Sequence, residues 1–289
     1  MRYSSRFNDI ISSLRCVYKL ILWKLFIILI NKDVASNDWE KRLAQLQRIV
    51  IAPQQQQEEE IRLTSQQQHY LYRVLRLGEG DRLIAMDGQG MSWLVQLHQT
   101  SAEILEPIAV ETELSITVTL MVALPKGSGF DQVVRCCTEL GVTTLIPLVS
   151  DRTLLKPSSN KLERWQRIAR EAAEQSERQI VPTIAAPTLF PPKLELMGDE
   201  DTHRYICVAR SDVPHLLNCL QQTKPRGIAI TTGPEGGWTA SEIEQASEAG
   251  FQPVSLGDRI LRGITAPITA LSVVAAVAEQ SWDSSKSSQ

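Results

Sequence analysis

The pattern of hydrophobic and polar positions changes character once, near residue 115. Before that point the apolar residues come in short runs, and residues 46–52, 82–86, 92–97 and 102–108 read as strands. Asp87-Gly88 lies between two of these runs and signals a hairpin turn. Ser65 opens a short helix with Leu71, Val74 and Leu75 at helical spacing, ended by Leu77-Gly78-Glu79-Gly80-Asp81. The Gln- and Glu-rich stretch 54–60 is expected to be a solvated loop. Together these elements predict a small β-rich domain with one core.

Beyond residue 115 the apolar runs become more continuous. Residues 116–124, 143–149, 205–209, 227–231 and 251–255 read as buried strands. Between them, 130–140 is an amphipathic helix carrying Phe130, Val133, Val134, Cys137 and Leu140 on one face, with Gly141 as its C-terminal cap. Residues 162–176 form a second helix, and 265–280 a closing apolar one. Strands alternating with helices predict a parallel sheet covered on both faces. Residues 111–115 read as the linker between the two halves.

A chain of 289 residues suits two modest domains, and 43% hydrophobic residues suffice for ordinary cores. The net charge of −3 does not mark a general polyanion binder, so any RNA site has to be a local basic surface. Arg48, Arg62, Arg73, Arg76 and Arg82 are interleaved with acids in the β-rich half. On composition a solvated face is the stronger reading of them and a phosphate-contacting surface the alternative. The five cysteines have no metal-ligand spacing, and Cys136 and Cys137 are adjacent within a helical pattern, which fits reduced thiols in the cytosol and no metal site.

At the amino terminus Arg2, Arg6 and Arg15 precede an apolar stretch, 17–30, that Lys19 and Lys24 interrupt. A spanning helix needs about 20 mostly apolar residues, so membrane association is the weaker reading. Residues 1–43 are expected to be an extension outside the folded protein, which would then begin near Leu43. The serine-rich tail 283–289 is expected to be disordered.

Two loops carry the chemistry. Thr232-Gly233-Pro234-Glu235-Gly236-Gly237-Trp238-Thr239 follows one strand, and Leu256-Gly257-Asp258-Arg259-Ile260-Leu261-Arg262 follows the next. Such loops at the carboxyl ends of strands are where an open α/β sheet places a small-molecule site. Neither the dinucleotide fingerprint nor the P-loop spacing is present. Thr239 as N-cap with Glu242 three residues into the helix makes a capping box, and Trp238 is placed to staple onto Ile243. The first loop is therefore pinned at both ends, with glycines that allow a ligand to approach the backbone. In the second, Leu256, Ile260 and Leu261 beside backbone N–H groups suit an adenine-like ring. Arg259 and Arg262 either face an anionic substrate or form salt bridges; the sequence weighs the two about equally.

The ordered series Lys126, Phe130-Asp131, Thr138-Glu139-Leu140-Gly141-Val142, Pro147, Asp151-Arg152-Thr153, Trp165, Glu171-Ala172-Ala173-Glu174-Gln175-Ser176, Arg178 and Val181-Pro182, followed by the two loops, resembles the RsmE-type methyltransferases. The first helix, from His69 to Arg76, is similar to the helix of that family's PUA-like barrel. The resemblance implies a SPOUT-type α/β domain with a C-terminal trefoil knot over residues 116–282. A small PUA-like RNA-binding β-barrel domain over residues 44–113 precedes it. It further implies a cytoplasmic homodimer that binds S-adenosylmethionine and methylates N3 of one uridine of 16S rRNA in the small ribosomal subunit.

Carried onto this chain, the cofactor residues are Thr232, Gly233, Pro234, Gly236, Gly237, Leu256, Gly257, Ile260, Leu261, Thr265 and Ala266. Arg262 or Arg152 is assigned to stabilising charge on the uridine, with Glu235 positioning the cofactor or a basic side chain. Arg48, Arg73, Arg76, Lys126, Arg178 and Arg259 are assigned to RNA. The chain departs from the family pattern at Ile264, where many relatives carry glutamate, so no role of that glutamate transfers.

Overall fold

The computed structural model describes residues 43, 46–109, 112–154, 159–191, 201–222 and 224–282. The apolar stretch 17–30 and the tail 283–289, on which two of the sequence expectations fall, lie outside the described residues. The chain divides into two compact units, Met1–Leu46 and Gln47–Gln289, and the second holds both sheets.

The first sheet has six strands: β1 (Arg48–Val50), β2 (Gln56–Gln57), β3 (Glu60–Arg62), β4 (Arg82–Met86), β5 (Ser92–His98) and β6 (Ser101–Ile108). Their spatial order is β1-β4-β5-β6-β3-β2; β1 and β4 pair in parallel and the other neighbours antiparallel. Ile49, Ile51, Ile61, Leu71, Leu83, Val95 and Leu97 fill its core. The stretch read as a solvated loop contains β2 and the start of β3, paired Gln56 to Ile61 and turned at Glu58, whose φ is +53°. An edge strand of glutamines has no apolar face, so its pattern gave no period to detect.

Helix α1 (Ser65–Gln68) begins where expected, capped by Thr64 with Gln67 completing a capping box, and continues as a π-helical turn over His69–Val74. That wider turn, with Leu75 N–H bonded to Tyr70 O, rotates the later side chains out of α-helical phase. Leu71 is consequently buried while Val74 is 58% exposed.

The second sheet is all parallel, with β7 (Thr117–Ala123), β8 (Thr144–Val149), β9 (Thr183–Ile184), β10 (Thr188–Leu189), β11 (Thr202–Cys207), β12 (Gly227–Thr232) and β13 (Gln252–Val254). The order is β10-β8-β7-β12-β11-β13, with β9 also on β8. Helices α2 (Gly129–Glu139), α3 (Ser159–Gln175), α4 (Leu216–Leu220), α5 (Ala240–Glu248) and α6 (Thr265–Val277) complete the layers. Alternate residues of one strand serve opposite cores. Leu120 and Val122 join the cluster that includes Phe130, Val133 and Val274; Met121 joins Ile146, Ile206 and Phe251. Burial on both faces is why these strands read as continuous apolar runs. The two-residue strands β9 and β10 and the five-residue α4 are too short to carry a period, and the sequence pattern missed them.

The two sheets meet through polar contacts around the end of α3. Val50 N–H donates to Glu174 Oε1 at 2.7 Å, and Arg48 Nη2 pairs with Glu177 Oε2 at 2.7 Å. Arg178 forks onto Glu113 at 2.6 and 3.1 Å and donates through Nη1 to the carbonyls of Thr138 and Val142 at 2.8 and 2.9 Å. Two RNA assignments are corrected here. The Arg178 side chain is only 4% exposed and that of Arg48 only 8%, so neither guanidinium faces a nucleic acid. Both are structural cations whose charges are matched inside the junction.

Candidate active site

Four loops and the end of β11, at the carboxyl edge of the parallel sheet, build the site. The loop after β12, residues 233–237, is the hub. Glu235 Oε1 accepts the Lys126 N–H at 3.0 Å, which ties in the loop after β7. Arg152, from the loop after β8, donates Nη1 to Gly236 O at 2.7 Å. Gly263, just before α6, lies so close to Glu235 that a Cβ there would stand 3.7 Å from its Cδ and its backbone N. The end of β11 joins through Trp238, whose Nε1–H donates to Cys207 O at 3.1 Å.

The capping box forms as the sequence implies: Glu242 N–H donates to Thr239 Oγ1 at 3.2 Å and Thr239 N–H to Glu242 Oε2 at 2.7 Å. The other oxygen of Glu242 accepts the Asp151 N–H at 2.9 Å, so this buried carboxylate locks two site loops together. Trp238 and Ile243 pack on the same cluster, and the indole lies 4.5 Å from the Phe190 ring. A Cβ on Gly233 would come within 3.1 Å of that indole, so the turn admits only glycine without displacing Trp238. Neither the Phe190 contact nor the Cys207 carbonyl was legible in the sequence; the aromatic at position 190 was its one available signal.

The second loop leaves β13 through Ser255, whose Oγ accepts the Gly257 N–H at 3.0 Å, with Gly257 at φ +109°. Ser255 O accepts the Leu216 N–H and Ser255 N–H donates to Pro214 O, each at 2.9 Å, so the loop is stitched to the start of α4. Leu256 is half-buried, Ile260 is 58% exposed, and the Arg262 carbonyl accepts the N–H groups of Thr265 and Ala266 to start α6. Thr232 is fully buried at the end of β12, and its hydroxyl has no partner among the described residues.

Glu235, Arg152, Lys126 and Gly236 thus come together with the residue that follows Arg262. Arg259 and Arg262 are exposed, and among the described residues neither guanidinium forms a hydrogen bond or ion pair. Of the two sequence readings, the salt-bridge one is therefore not what the structure contains. Arg73, on the π-helical turn, and Arg76, beyond it at φ +59°, are both exposed. Cys136, Cys137, Cys207 and Cys219 are free thiols, but burial pushes Cys207 up to about 12 and Cys137 well above its ordinary range, which removes both as nucleophiles. No group of three metal-binding side chains occurs among the described residues, nor any helix long and apolar enough to cross a membrane.

Residues 112–275 match the RNA methyltransferase domain family, and residues 63–103 match the RNA methyltransferase PUA domain. The class is therefore a two-part RNA methyltransferase, with the loops just described on its larger part. The chain is 51% identical over 236 residues to the ribosomal RNA small subunit methyltransferase E of Synechocystis, covering 80% of this chain and 78% of that one. Its identity to the enzyme of the same name from Bacillus subtilis is 32% over 225 residues, covering 73% and 88%. Among solved structures, the Neisseria gonorrhoeae ribosomal RNA small subunit methyltransferase E bound to S-adenosyl methionine superposes with a TM-score of 0.71 at 28% identity, covering 81% of this chain and 98% of that one. A putative methyltransferase from Legionella pneumophila with bound SAM superposes equally well, TM-score 0.71 at 26% identity over 81% and 98%. The chain belongs to the family of the ribosomal RNA small subunit methyltransferases E.

Proposed function

We propose that this chain methylates N3 of one uridine in the 16S rRNA of the small ribosomal subunit, using S-adenosylmethionine. The observation that carries the reading is the convergence of the loops after β7, β8 and β13 on Glu235 and Gly236, next to an exposed and unpaired Arg262. Thr232, Gly233, Pro234, Gly236 and Gly237 hold one side of the cofactor, and Leu256, Gly257, Ile260, Leu261, Thr265 and Ala266 the other. When bound, S-adenosylmethionine supplies a methyl group activated by its sulfonium. The residues of the chain have the remaining task, which is to make N3 nucleophilic.

Uridine N3 carries a proton between two carbonyls, and its release to solvent places negative charge on O2 and O4. A guanidinium stabilises that charge by hydrogen bonding while keeping its own proton. Arg262 fits this role, since nothing in the fold occupies its donors. Arg152 is the second candidate, with Nη1 engaged by Gly236 O. Glu235 acts by position: its Oε1 fixes the backbone at Lys126, so the residue sets the spacing of two walls. Holding the base against the methyl group contributes much of the rate, and the base has to be unstacked to reach it.

Residues 44–113 serve as the RNA-binding domain and 116–282 as a SPOUT-type methyltransferase domain, with Arg73, Arg76, Lys126 and Arg259 facing RNA. A trefoil knot is supported by the path of the chain: β13 lies beyond β11, yet the segment after it returns to pack Gly263 on Glu235. A homodimer is supported by α6, whose sequence is mostly apolar. Beyond its buried Leu271 and Val274 it leaves Ile268 and Val273 half-covered and Ala276 exposed, a face suited to a second copy. Arg262→Ala is expected to lower single-turnover methyl transfer by about a thousandfold, the loss of one donor to a developing oxyanion. S-adenosylmethionine affinity by calorimetry should stay within a few-fold, and unchanged turnover would refute the role.

A further inference from the structure

A cavity of about 610 Å³ opens between α2 and α3 and adjoins the site through Lys126 and Ile264. Its charged lining is Lys126, Arg135, Arg164 and Arg167 against Asp131 and Glu171, an excess of two positive charges (four minus two) in a chain of net charge −3. The cations differ in how they are held. Arg164 is fixed by Asp131 at 2.8 Å, and Asp131 also accepts the buried Trp165 Nε1–H at 3.0 Å. That anchoring leaves guanidinium donors over, because one carboxylate oxygen cannot use five N–H groups. Arg167 meets Glu171 only at 3.8 Å, with both side chains 60% exposed, a pair of little strength. Arg135 is exposed and, among the described residues, has no ion-pair partner. Ile264, packed on Gly129 at the start of α2, contributes no charge to this wall.

An open, polar groove with cations on two rigid helices, sharing Lys126 with the active site, suits a polyanion that continues outward from that site. We propose that the α2–α3 groove binds the sugar–phosphate backbone of the RNA strand flanking the target base, with Arg135, Arg164 and Arg167 as phosphate contacts. The proposal rests on the reading that the chain methylates ribosomal RNA. It adds a second contact surface, on the catalytic part itself and separate from the β domain. Phosphate contacts of this kind fix register without reading sequence.

The test uses Arg135→Gln and Arg167→Gln, singly and together, since both side chains are exposed and leave the core untouched. Binding to small ribosomal subunits lacking the modification is measured across a potassium chloride series, and S-adenosylmethionine affinity and sedimentation are measured in parallel. Each substitution should reduce the slope of log affinity against log salt by about 1. The double variant should bind roughly tenfold more weakly near physiological salt, with the effect on KM for subunits rather than on kcat. Rescue by Arg135→Lys should restore most of the slope, because a phosphate contact needs charge more than shape. An unchanged slope and affinity in the double variant would overturn the proposal, as would a change in sedimentation alone, which would make the groove a contact between copies. Failure of the wild-type chain to methylate subunits would instead refute the functional reading beneath it.

Discussion

Replacing Arg178 with methionine removes a cation that four acceptor atoms share. Glu113 receives its Nε at 3.1 and 3.3 Å and its Nη2 at 2.6 Å, while Nη1 serves the carbonyls of Thr138 and Val142. Methionine keeps most of the stem volume, so the loss is chiefly polar. It strands a carboxylate that is 23% exposed and still holds the Ile180 N–H, together with two carbonyls beside the end of α2. Breaking one partner of a buried pair costs about 3–5 kcal/mol, and each stranded carbonyl about 1–3 kcal/mol, with strong overlap between them. A net loss of about 3–5 kcal/mol is expected in urea unfolding followed by tryptophan fluorescence, whereas Glu113→Gln, which keeps an acceptor for both Arg178 and Ile180, should lose less than half as much. A midpoint shift equivalent to under ~1 kcal/mol for Arg178→Met would refute the assignment. It would mean that the clamp is replaceable by water and that Arg178 is free for another task.

Glu174 is held up to about 7, first by burial, with Glu171 adding to the shift and the Val50 N–H and Arg170 opposing it. Its folded value lies above the ordinary 4.5, so its ionisation opposes the fold: stability is highest below about pH 4.5 for this group and is lost as pH rises through 7. Glu174→Gln keeps an acceptor for Val50 and should flatten that loss, gaining on the order of 2–3 kcal/mol at pH 8 and little at pH 5, as read by thermal melts at the two pH values; equal gains at both would contradict it. Gly236→Val places a branched side chain where even a Cβ stands 3.2 Å from Arg152 Cδ, and it should weaken S-adenosylmethionine binding by about tenfold or more without a matching fall in melting temperature. Wild-type affinity in calorimetry would show that the loop yields freely.

The sequence revealed most where burial imposes a period. Residues 227–231 and 251–255, read as strands, fall on β12 and β13, and Thr239 with Glu242 specified the helix start after the first loop. What stayed hidden depends on distant partners. Arg178 and Arg48 looked like surface cations because nothing local announces Glu113, 65 positions earlier, or Glu177, 129 positions later. Arg135, Arg164 and Arg167 lie on two separate helices, which the packing of Phe130 on Trp165 at 4.5 Å and the Arg164–Asp131 contact bring to one groove. The two site loops were legible as a pair, but their meeting at Glu235 rests on the close approach of Gly263, and the tie to the loop after β7 on the Lys126 N–H, neither of which carries a side-chain signature.

The central claim is tested most directly by incubating the purified chain with small ribosomal subunits from a strain lacking the modification and with methyl-labelled S-adenosylmethionine. The RNA is then digested and the product nucleoside identified by mass spectrometry against a synthetic standard. Incorporation of one methyl group per subunit, recovered as 3-methyluridine from a single position in 16S rRNA, is the expected result. No incorporation, or a methyl group on another atom or another RNA, would contradict the account.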